Sequence, residues 1–101
     1  WLMERAADFP RAHKFTVGDR IVETALEVTT RLVEAAYLRE KVTELHAASR
    51  ALSRLRILVR AAGRLRCLSN AQCAHFIERS DEVGRMIGGW TRSLRAPQAQ
   101  S

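Results

Sequence analysis

Apolar residues recur along this chain in steps of three and four, and no stretch alternates over a strand's length. Ile21, Val22, Ala25, Val28, Leu32, Val33 and Ala36 share one helical face, predicting a helix that runs to about Tyr37. From Leu38 to about Leu68 comes another, in which Leu45, Ala48, Leu52, Leu55, Val59 and Ala62 follow the spacing of a bundle seam. Beside that seam lies a partner stripe of Ile57, Leu58 and Leu65. A last seam consists of Phe76, Ser80, Val83, Ile87, Trp90 and Leu94. Trp1 to Asp8 reads as the end of a helix that begins further upstream and is broken by Phe9-Pro10.

The punctuation agrees with this division. Thr16 with Asp19 three residues later is an Asp variant of the capping box, and Ser69 with Gln72 is the same device at the start of the last helix. "APQAQS" at the end of the chain should fray. The fold expected is all-α, an antiparallel up-down-up-down four-helix bundle with a truncated first helix, one domain over residues 1–95 and a frayed tail at 96–101. Gly84, Gly88 and Gly89 are costly inside a helix, so close approach of a neighbouring helix is expected there, with Trp90 in the same packing set, and a leucine at Gly88 should disrupt the packing.

Charge changes the picture at one helix. Between Leu45 and Ile77 there is no Asp or Glu, whereas Arg50, Arg54, Arg56, Arg60, Arg64 and Arg66 all fall there and account for the whole net charge of +6. Lys14 and Lys41 are the only lysines. Arginine suits sites where a planar fork of donors meets phosphate or carboxylate. Two partners are open. One is internal: Asp19, Glu23, Glu27, Glu34, Glu40 and Glu44 outnumber the cations around them and could dock on the basic helix within or between subunits. The other is an external polyanion or acidic protein. Arg56, Arg60 and Arg64 form one line along the helix, at a spacing that matches successive phosphates.

Catalytic chemistry is not evident. Cys67, Cys73 and His75 lack a zinc spacing and a fourth ligand, so the cysteines read as small hydrophobes. His13 and His46 have no nucleophile and orienting carboxylate beside them. The expectation is a non-enzyme with no metal, cofactor or small-molecule substrate. The longest apolar run falls short of the ~20 residues that span a bilayer, and a reducing cytoplasm fits two unpaired cysteines.

Three segments, "FPRAHKFTVG" (Phe9 to Gly18), "LRILVRAAGRLRCLS" (Leu55 to Ser69) and "DEVGRMIGGW" (Asp81 to Trp90), together resemble the accessory variability determinants of diversity-generating retroelements. The wider superfamily includes bundle proteins of ribosomal-RNA intervening sequences. The resemblance runs from Trp1 to Leu94. It implies a homopentameric barrel with a basic surface that binds reverse transcriptase, template RNA and cDNA and supports mutagenic cDNA synthesis without catalysing it. Arg50, Arg54, Arg56, Arg60, Arg64 and Arg66 would then be the binding residues. The alternative is a structural helical oligomer whose basic helix pairs with acidic helices of its own assembly.

Overall fold

The computed structural model describes the backbone of residues 1–100 and the side chains of residues 1–94. The tail expected at 96–101 lies outside the residues described with side chains. The elements are α1 (Leu2–Ala7), α2 (Arg11–His13), a π-helical turn (Lys14–Gly18), α3 (Asp19–Tyr37), α4 (Lys41–Arg64) and α5 (Asn70–Gln100). α2, the π turn and α3 follow one another without a break, so the chain makes four helices, and no strand occurs among the described residues.

α4 is the axis of the packing. Leu45, Ala48, Leu52, Leu55, Val59 and Ala62 are all buried, as the seam spacing predicts, and Ala51 joins them. Contacts with its neighbours run in reverse order along the chain: Glu27 and Arg31 of α3 meet Arg54 and Glu44, and Cys73 and Ser80 of α5 meet Gly63 and Arg56. Two apolar clusters result. One holds Leu2, Ala6, Phe9, Ile21, Leu55, Val59 and Phe76, and the other holds Val28, Ala35, Leu45, Leu52 and Ile87. α1 contributes only to the first cluster, where Trp1 also meets the His75 ring edge-on at 4.9 Å.

Several boundaries differ from expectation. Thr16 is not a helix cap: helix begins at Arg11, directly after Pro10, and the Thr16 hydroxyl donates to the His13 carbonyl at 3.3 Å inside the π turn. Pro10 is the N-cap, with ψ 143°, and its carbonyl accepts from the His13 and Lys14 N–H groups at 2.8 and 2.9 Å. On α3, Val33 is 53% exposed and Ala36 is exposed, while Ala35 is buried, so the apolar stripe drifts by one position toward the helix end.

α4 starts at Lys41 and stops at Arg64, shorter than the expected Leu38–Leu68. Its start is tethered by Lys41, whose ammonium donates to the Ala35 and Ala36 carbonyls at 2.9 and 3.1 Å, closing the end of α3. Its end is a Schellman closure: the Cys67 N–H bonds the Ala62 carbonyl at 2.9 Å and the Arg66 N–H bonds Gly63 at 3.0 Å. Arg66 stands where glycine is usual and has φ 61°. The capping box at the head of α5 forms as expected, with Ser69 N–H donating to Gln72 Oε1 at 2.9 Å and Gln72 N–H donating to Ser69 Oγ at 3.1 Å.

The tight crossing of α4 and α5 is at Gly63. A Cβ there would stand 2.7 Å from Cys73 Sγ, closer than real Cβ atoms tolerate. Overpacking of this kind costs about 1–3 kcal/mol, against the ~1 kcal/mol that alanine regains over glycine in a helix. Gly63→Ala therefore lowers the thermal midpoint, and adding Cys73→Ala recovers it, a double-mutant cycle read by thermal melts; additive effects would show that the two residues do not meet. At the helix end, Arg66→Gly should stabilise the fold by about 1 kcal/mol because it removes the left-handed penalty, and denaturant titration measures it.

Candidate nucleic-acid interface

The seam of α4 occupies one side of the helix, so its arginines take the remaining positions and reach different neighbours. Arg54 turns toward α3 and its guanidinium lies 2.6 Å from the Glu27 carboxylate. Arg56 turns toward α5 and is half-buried. Its Nε donates to Ser80 Oγ at 2.9 Å, and its Nη2 donates to the Ser80 carbonyl at 2.9 Å and to Asp81 Oδ1 at 3.3 Å. Ser80 is 2% exposed and its hydroxyl donates a hydrogen bond to the Ile77 carbonyl at 2.8 Å, so this buried polar group is satisfied both as acceptor and as donor.

The other four α4-region arginines are exposed. Arg50, Arg60, Arg64 and Arg66 form no ion pair among the described residues. The acidic helix takes up Arg54 and holds α4's own Glu44 against Arg31, at 3.2 Å, a contact that raises the Arg31 pKa first by hydrogen bonding and then by charge. Internal neutralisation thus operates within the chain, at Arg54 and at Arg56, and leaves a cationic surface behind.

The glycines of α5 behave unequally. At Gly84 a Cβ would meet Arg56 Nη2 at 3.2 Å and Leu52 Cδ2 at 3.9 Å, both on α4. At Gly88 and Gly89 the only neighbour within 4 Å among the described residues is Arg92, one helical turn onward, at 3.4 and 3.9 Å. Among the described residues no neighbouring helix presses on these two, unlike the approach expected from the sequence. Trp90 does pack, half-buried against the second apolar cluster.

Gly84 and Gly88 leave an open groove of ≈ 530 Å³ between α4 and α5, lined also by Ser49, Arg56, Arg85 and Arg92. Arg85 and Arg92 are functional candidates that attention to the acid-free run at 45–77 passes over. Their signal was present: from Val83 to Ser101 there are three arginines and no acid.

Other chemistry is thin. Cys67 and Cys73 are free, and burial pushes both thiols up, which keeps them protonated. No group of three or more His, Cys, Asp or Glu among the described residues could hold a metal ion. Among the described residues no helix is long and apolar enough to cross a membrane.

Comparison with known proteins gives one positive result, a family model described as bAvd-like that matches residues 1–94. No curated protein and no solved structure matches the chain significantly. The match takes in all four helices as far as the last described side chain, together with the α4 arginines, Arg85, Arg92 and the glycines of α5, and on it the chain belongs to the bAvd-like family.

Proposed function

We propose that this protein is a non-catalytic accessory subunit of a diversity-generating retroelement, an up-down-up-down four-helix bundle that binds reverse transcriptase together with template RNA and cDNA. The observation that carries the reading is family membership over residues 1–94 combined with a run of arginines that the chain's own acids balance only in part. Exposed guanidinium groups at Arg50, Arg60, Arg64 and Arg66 supply what a phosphate backbone needs, fixed positive charge with several donors each.

A homopentamer is the proposed assembly. Of the stripe that accompanies the α4 seam, Ile57 is 65% exposed and Leu65 42%, while Leu58 packs partly against the first apolar cluster. Phe15, 65% exposed, stands near Leu58 across a shallow groove formed with Arg20 and Glu23 of α3. Contiguous apolar surface rimmed by charge is typical of a protein contact, and copies of the chain are the proposed occupants. The scaffold reading, in which basic and acidic helices only pair with one another, is favoured at Arg54 by its Glu27 contact. Within the chain, Arg60 and Arg64 form no ion pair among the described residues.

Two measurements test these claims. Binding of labelled single-stranded RNA should fall with salt, and Arg60→Ala with Arg64→Ala should lower the slope of log affinity against log salt by about 1.4, at roughly 0.7 per phosphate contact, with circular dichroism and oligomer size unchanged. An unaltered slope in that folded variant favours the scaffold. Ile57→Glu should leave helicity intact and shift sedimentation to smaller species; a wild-type-sized oligomer would move the subunit contact to another face.

A further inference from the structure

We infer that the α4–α5 groove over Gly84 and Gly88 is a phosphate-binding cleft for single-stranded nucleic acid, with Arg56, Arg85 and Arg92 as its cationic groups. This rests on the nucleic-acid reading above and adds a location, a chemistry and two residues to it. Three guanidinium groups converge on a groove of ≈ 530 Å³, against one carboxylate, Asp81. That carboxylate is engaged with Arg56 at 3.3 Å, so it does not offset the other two.

Arg56 is pre-positioned. Ser80 and Asp81 take its Nε and Nη2 donors, and its Nη1 has no hydrogen-bond partner among the described residues. A guanidinium held in this way forms a further charge-assisted bond without losing much rotational freedom. The same contacts turn it along the floor of the groove, where its Nη2 would lie 3.2 Å from a Cβ on Gly84. Arg92 does likewise at Gly88, with Nη1 at 3.4 Å. The glycines thus make room for arginine head groups and for backbone approach by a ligand, since no neighbouring helix of the chain fills the space above Gly88.

A phosphodiester is the occupant that fits. The lining is polar and cationic, with the Ser49 hydroxyl as a further donor, whereas the face proposed for the subunit contact exposes Ile57 and Phe15, so phosphate suits this groove and a second copy suits the other face.

The test uses the full chain in its native assembly and a fluorescein-labelled single-stranded RNA of mixed sequence, titrated over a range of salt. Arg85→Ala with Arg92→Ala should lower the salt slope by about 1.4 at unchanged helicity and oligomer size. Gly88→Leu retains every charge and improves helix propensity, so its thermal midpoint should equal or exceed that of the parent protein while RNA affinity falls severalfold. If the arginine pair leaves affinity and slope unaltered while Arg60→Ala with Arg64→Ala lowers them, the groove is not the phosphate site and the accessory-protein reading stands. If the parent protein fails to bind the RNA, both fall. If Gly88→Leu breaks the oligomer, the groove seats another copy of the chain and the inference is overturned.

Discussion

Everything in this molecule leans on the buried side of α4. Both apolar clusters draw on it, Leu45, Ala48, Ala51 and Leu52 at one end and Leu55, Val59 and Ala62 at the other. Small residues at Ala48, Ala51, Ala62 and Gly63 let neighbours come close, and larger ones fill the gaps between them. The same helix also carries the excess charge. On its exposed side Arg50, Arg60 and Arg64 stand beside neutral residues such as Ser53 and Ile57.

That double duty explains why arginine recurs here. Its long apolar stem can lie along the flank of a packed helix while the head group reaches a neighbour or solvent. Arg56 does this toward α5 and Arg54 toward α3. The two ion pairs flank the seam and bind α4 to the helices on either side, so part of the basic charge helps to order the bundle and the rest is displayed.

The seams were legible in the sequence because burial along a straight helix follows a fixed period, and all six α4 positions so chosen are buried. Ser69 and Gln72 were legible too, since a capping box needs only local chemistry. Thr16 misled because capping residues also occur where a helix is already under way, and Pro10 had taken the start. The end of α4 was hidden by Arg66, which adopts a conformation normally announced by glycine. Gly63 and the pair Gly88 and Gly89 look alike in sequence. What differs is the neighbour, Cys73 from another helix in one case and Arg92 of the same helix in the other. Arg85 and Arg92 lie in a second, sparser acid-free run, and their tie to Arg56 was not legible because the groove gathers residues from two helices.

Among the described residues the two apolar clusters draw on different numbers of helices, with a further effect. Its Leu2 and Ala6, with Phe9 just beyond, seal one end of the molecule, while at the other Val28, Ala35, Leu45 and Ile87 are shared among only three helices. Cooperative opening follows local contact density, so the two ends are unequal in their resistance to transient unfolding. Backbone amides around Ala35 and Leu45 are the ones placed to exchange with solvent through small openings, while those around Ile21 and Val59 wait for larger ones. An assembly partner that covered the three-helix end would thus act on motion there as much as on affinity, stiffening the cluster that α3, α4 and α5 build between them.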